Sequence, residues 1–149
     1  MPFLKLAIEP DEDGICKLHA EVSAGSFSGA GSAWFDSSEI EIFAEAIGNY
    51  PLPAENPPTL RGGFWDRENS QEITQEHLYI SIFPSNSRGQ IGVHTRLAQE
   101  SWPDSDPRAQ NAVSAMFTTS YMELSAFSEQ LLFLCKGKVK NAIINSVEV

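Results

Sequence analysis

This 149-residue chain has little of what most chemistry requires. It has two cysteines, Cys16 and Cys135, too few for a disulfide framework. It has three histidines, His19, His77 and His94, none in an H-x-H or H-x-x-x-H spacing, so no metal-ligand signature is present. Basic residues are scarce: ten Lys and Arg against twenty Asp and Glu, a net charge of −10. That balance argues against nucleic acid as a partner, because phosphate contacts draw on Lys and Arg. No apolar run approaches the roughly 18 residues of a membrane helix. The opening Met1-Pro2-Phe3-Leu4-Lys5 lacks a basic segment followed by a long apolar one, which leads us to expect a cytoplasmic protein. There is no G-x-S-x-G elbow for a nucleophile. Gly25, Gly29 and Gly31 lack the G-x-G-x-x-G order, and the helix after them opens with Asp36 and Glu39, where a phosphate would meet negative charge. No cofactor is expected.

What remains is the composition of an ordinary globular domain, 42% apolar and 20% charged, and one domain over residues 1–149 is expected. Its clearest internal feature is a repeat. Asp36-Ser37-Ser38-Glu39-Ile40 through Ile47 aligns without a gap on Ser120-Tyr121-Met122-Glu123-Leu124 through Leu131. Each copy opens with a capping residue followed three positions later by Glu, the pattern of a capping box. Each then sets apolar residues at helical spacing: Ile40, Phe43 and Ile47 in one, Leu124, Phe127 and Leu131 in the other. Upstream, Ser32-Ala33-Trp34-Phe35 and Ser114-Ala115-Met116-Phe117 match with a two-residue slip. Two strand-then-helix units of like design follow from this.

The rest of the chain reads mostly as strand. Leu4, Leu6 and Ile8 alternate with Lys5 and Ala7; Cys16, Leu18, Ala20 and Val22 alternate with Lys17, His19 and Glu21, so Cys16 should face the core. Pro10 to Gly14 is the turn between them. Residues 23–35 are extended but broken by glycine, and helices are expected from about Ser37 to Ile47 and from Tyr121 to Lys136. Further strands are expected at Leu60–Trp65, His77–Phe83, Ile91–Leu97, Ala112–Thr118 and somewhere in Val139–Val149, with Asp66–Gln75 left as loop. The expected fold is α+β: a curved, mostly antiparallel sheet of six to eight strands with two helices on one face.

Charge is unevenly spread. Residues 9–55 hold ten acidic side chains and one basic one, Lys17, a surface that would steer a cationic partner, although solubility alone also accounts for it. Trp102 lies in the acidic stretch Glu100-Ser101-Trp102-Pro103-Asp104-Ser105-Asp106, and a tryptophan ringed by acids can anchor a basic protein. The expected partner-binding residues are therefore Glu41, Glu45 and Glu55 around the first helix, and Trp102, Asp104 and Asp106 in the loop. The alternative is a small-ligand or metal site, or an enzyme, on the polar strand faces, using His19, His94 and Arg96. An interaction module of unassigned role is the third possibility.

The order of elements resembles a known family. An N-terminal hairpin, a glycine-broken strand, the Phe35-Asp36-x-Ser38-Glu39-Ile40…Phe43 helix, two mid-chain strands, then a strand and the Ser120…Glu123-Leu124…Phe127…Leu131 helix are similar to small bacterial immunity proteins related to the immunity partner of wall-associated polymorphic toxins. The resemblance spans roughly residues 3–135. It implies a non-enzymatic protein that binds and blocks a toxin domain, and it carries over no active-site residue.

Overall fold

A computed structural model describes residues 1–102 and 104–148. The alternating apolar segments form β1 (Phe3–Pro10), β2 (Ile15–Ala24) and β3 (Phe27–Asp36), followed by α1 (Ser37–Ile47). The expected extended stretch 23–35 divides at Gly25-Ser26, a two-residue hairpin connection. Gly25 has φ +63 there and Ser26 does not share a positive φ, the pattern of a II′ turn. A proline-rich segment leads to β4 (Thr59–Trp65), β5 (Ile73–Pro84), β6 (Gln90–Ala98) and β7 (Ala112–Ser120). Then come α2 (Tyr121–Cys135) and the short β8 (Ala142–Asn145).

The fold is α+β, with eight strands in two four-stranded antiparallel sheets, ordered β3-β2-β1-β8 and β4-β5-β6-β7. Both sheets and both helices share one core, to which Leu4, Leu18, Ile80, Val93, Ile40 and Phe127 contribute fully buried side chains. Cys16 is buried among them, as its place in the β2 alternation requires.

The repeat reaches beyond the helices. The chain is two βββαβ units, β1-β2-β3-α1-β4 and β5-β6-β7-α2-β8, whose ladders share one register. Pro10 faces Cys16 as Pro84 faces Ile91, Leu6 faces Ala20 as Ile80 faces Thr95, and Leu4 faces Ile144 as Leu78 faces Gly62. The last strand of each unit leaves its own sheet: β4 pairs with β5 of the second unit, and β8 pairs with β1 of the first. The units are thus exchanged by one strand each. The axis that relates them passes between the helices. Ser128 Oγ donates to the carbonyl of Ala44 at 2.6 Å, and these two residues are equivalents in the 84-residue repeat. Gly48 lets the helices close at that point, since a Cβ there would stand 2.6 Å from Ser128 Oγ.

The two helix starts use their capping boxes differently. At α1 the Glu39 carboxylate accepts from the Asp36 amide at 3.3 Å, and the reverse contact to Asp36 is the looser one. At α2 Ser120 Oγ accepts from the Glu123 amide at 3.2 Å, while the Glu123 carboxylate turns away to accept from the Asn145 amide in β8 at 3.1 Å.

Two expectations move. β5 begins at Ile73, inside the stretch read as loop, because two irregularities interrupt its pairing with β4 and hide the alternation. The strand expected somewhere in residues 139–149 is confined to Ala142–Asn145. No helix among the described residues is long and apolar enough to cross a membrane.

Candidate protein-interaction surface

All three tryptophans of the chain are partly or largely outside the core: Trp34 is 48% exposed, Trp65 40% and Trp102 81%. Tryptophan has the most apolar surface to hide, so three left at the surface and linked to each other need a reason. Alternation explains the first. Ala33 and Phe35 point into the core from β3, so Trp34 between them points out. Its ring takes the Lys17 ammonium at 5.7 Å from its centroid. β4 is brought close beneath β3 by Gly62, where a Cβ would stand 2.7 Å from Ala33 and 2.8 Å from the Phe35 ring. That approach sets Trp65 across from Trp34, and the two line a hollow of about 420 Å³ with Glu39 and Arg61 at its margin.

The strip continues past Trp65. Phe64, Trp65 and Trp102 line a second hollow of about 520 Å³, with Asp66 and Arg67 beside it. Phe64 and Trp102 line a third, of about 340 Å³, with Glu100 and Ser101. Trp102 is held there through its neighbour. Ser101 donates its amide to Gln75 Oε1 at 2.9 Å and accepts from Gln75 Nε2 at 2.9 Å, a two-bond pairing of a side-chain amide with a main-chain one. Gln75 also contacts the ring of His77, which is 2% exposed.

His77 owes its place to a β-bulge. Gly62 pairs with Leu78 and Gly63 with Glu76, so His77 is the extra residue on β5. Bulges re-aim side chains, and Phe64 covers this one edge-on with ring centroids 4.6 Å apart. Burial lowers the His77 pKa, against an upward pull from Glu100.

The expected residues fall into separate groups. Glu41 and Glu45 are exposed on α1, and Glu55 is exposed in the segment between α1 and β4. Glu41 lies on the α2 side of its helix: the Cys135 thiol is pushed up to about 11, by burial first and by Glu41 next. At about 100° per residue, Glu39 faces nearly the opposite way and reaches the Trp65 hollow. Asp104 and Asp106 are exposed near Trp102, but Asp106 is engaged. It caps the 3₁₀ turn Pro107–Ala109, and its carboxylate meets the Arg108 guanidinium at 2.7 Å, which holds its pKa below the usual range. The structure therefore joins Trp102 to Phe64 and Trp65, with Glu41 and Glu45 on a different flank.

His19 stands on one sheet, and His94 and Arg96 stand on the other. His19 on β2 meets Glu9 at 3.1 Å. His94 on β6 meets Ser114 Oγ at 3.3 Å, and its pKa is lowered by burial and then by Arg96. Arg96 lies over the Tyr79 ring at 4.2 Å and shares the Glu76 carboxylate with Arg61, at 3.0 and 2.9 Å. Among the described residues, no three His, Cys, Asp or Glu side chains gather to hold a metal ion.

Sequence reasoning missed Trp34, Phe64 and Trp65. The signal for Trp34 was present, since it alternates with Ala33 and Phe35; that for Trp65 was not, because the bulges break the alternation of its strand pair. No family model, curated protein or solved structure matches this chain.

Proposed function

We propose that the protein is a non-enzymatic binding protein of the bacterial cytoplasm, of the immunity type, that neutralises a basic toxin domain by covering it. One observation carries the reading: the continuous strip Trp34–Trp65–Phe64–Trp102, partly exposed and notched by three hollows. Exposed aromatic residues set in pockets are what dominate binding energy at protein interfaces. The net charge of −10 supplies the other half, long-range attraction for a cationic partner. In this reading the tryptophans anchor, while Glu41, Glu45, Glu55 and Asp104 steer. Asp106 contributes little charge, being matched by Arg108.

The test is binding to the product of the neighbouring gene, measured by stopped flow and calorimetry. Replacing Trp34, Trp65 and Trp102 together with Ala should weaken affinity by at least a hundredfold, about 2.7 kcal/mol, mostly through faster dissociation. Neutralising Glu41, Glu45, Glu55 and Asp104 should instead slow association and flatten its salt dependence. Affinity unchanged in the triple variant would remove the strip from the reading.

A further inference from the structure

We propose that the free edge of β3 is a strand-docking site, on which the partner lays an extended segment carrying Lys or Arg where it meets Trp34, Trp65 and Glu39. This rests on the reading of the protein as a binder of a basic domain, and adds the form in which that domain is met. The Ser37 amide donates to the Gly14 carbonyl at 2.7 Å, which fixes the parity of the β2–β3 ladder. Main-chain bonds alternate in direction along an antiparallel strand. Gly29, Gly31, Ala33 and Phe35 therefore bond β2, while Ser28, Ala30, Ser32 and Trp34 turn their amides and carbonyls outward. Among the described residues none of those outward amides has a partner. Each of the other sheet edges is closed or interrupted at some point. On β8 the Ile143 and Asn145 amides donate to Gln130 and Glu123 of α2, both at 3.1 Å. On β7 the Thr118 carbonyl accepts from the Val147 amide at 3.1 Å. β4 is broken by two irregularities and carries Arg61. From Phe27 to Phe35, β3 has no proline, no bulge and no charge, the devices that keep an edge from pairing.

β3 crosses the second sheet rather than running along it. A Cβ on Gly29 would meet Val113 of β7 at 2.6 Å, and one on Gly31 would meet Leu97 of β6 at 3.1 Å and the His77 carbonyl of β5 at 3.0 Å. Gly62 of β4 lies against Ala33 and Phe35. Inward of this crossing Leu78, Ile80 and Val93 enter the core. Outward of it, residues 63–65, 73–76 and 99–102 run on as a ledge below the free edge. Two hollows lie between edge and ledge. At one end Ser28, Gly29 and Ala30 face Gln99, Asn111 and Val113 across about 230 Å³. At the other Trp34 faces Trp65, with Glu39 beside them, across about 420 Å³. Ala30 and Trp34 are four residues apart, about 13 Å of strand, so alternate side chains of one added strand reach both hollows. In such additions main-chain bonds supply affinity and the hollows supply specificity. The tryptophan end takes a cation. Trp34 already holds the Lys17 ammonium at 5.7 Å, Glu39 is exposed, and Arg61 is engaged by Glu76 at 2.9 Å. The net charge of −10 draws the same kind of segment. A second copy of this chain does not fit, because edge-to-edge pairing would drive its ledge into this one and bring a second charge of −10.

Amide hydrogen exchange, read by NMR on the full-length chain, tests the edge. In the free chain Ser28, Ala30, Ser32 and Trp34 should exchange fast, and Gly29, Gly31 and Ala33 slowly. Two probes are then added in turn: the product of the neighbouring gene, and decapeptides selected on this chain from a random display library. Each should slow the outward amides by about tenfold or more, and the selected peptides should carry Lys or Arg. Ser32→Pro removes one outward N–H and no bond to β2, so it should leave the urea midpoint in place and weaken both probes by about tenfold. Ser32→Ala should weaken neither. Outward amides that are already slow in the free chain, or that stay fast with both probes, would overturn the docking site, and these readings need no variant to fold. Selected peptides without Lys or Arg would overturn the cation at the tryptophan end. A gene product that binds through the tryptophans yet leaves these amides fast sinks the edge and spares the proposed function. Peptides that protect the edge while the gene product fails to bind do the reverse.

Discussion

Thr95 has no counterpart in its environment. It is fully buried, and its hydroxyl lacks a hydrogen-bond partner among the described residues. The repeat puts it opposite Ile80, at the rung where the other sheet places Ala20 opposite Leu6. An unpaired buried hydroxyl costs about 1–3 kcal/mol relative to the same group in water. Thr95→Val keeps the shape and removes the oxygen, so it should stabilise the fold by about 1 kcal/mol, read as a higher urea midpoint with an unchanged slope. A lower midpoint would show that the hydroxyl has a partner. His77 is the complementary case. It follows the polar run Thr74-Gln75-Glu76, so its burial could not be read; the extra residue of a bulge is set by the pairing of the facing strand at Gly62 and Gly63.

At the scale of elements, the helices were legible and the sheets only partly so. Cap residues and apolar spacing act within a few positions, and the 84-residue repeat placed both helix starts correctly. Which strands share a sheet depends on pairs far apart in the chain, and nothing local marks β4 and β8 as the strands that change sides. The exposure of Trp102 was legible because acids surround it; its union with Trp65 was not, because it depends on Ser101 pairing with Gln75 across the fold. The caps themselves differ in a measurable way. Ser120 accepts a well-formed bond and Asp36 a loose one, so Ser120→Ala should cost about 1 kcal/mol and Asp36→Ala less. Chemical denaturation of both variants checks the order. The reverse order would mean that the charge of Asp36 on the helix dipole outweighs its geometry.

The whole molecule is held by the exchange of strands between its halves. A chain cut in the segment between β4 and β5 would leave a first fragment whose β1 lacks β8, and a second whose β5 lacks β4. Each fragment would expose the apolar face that the other covers. Fragments 1–70 and 71–149 should therefore fail to unfold cooperatively when separate and recover one cooperative transition when mixed, as followed by circular dichroism. A first fragment that folds by itself would show that the exchange is ornamental to stability.

The pairing of β1 with β8 also sets a clock. Synthesis runs from the N-terminus, so β1 is made well before residues 142–145, which close its sheet. Until they emerge the edge of β1 stays open, and an open edge is a template for pairing with other chains. The first unit cannot be finished early, however fast its own hairpins form, because its sheet is closed by a strand of the second unit. A chain that stops short of β8 keeps that bare edge exposed.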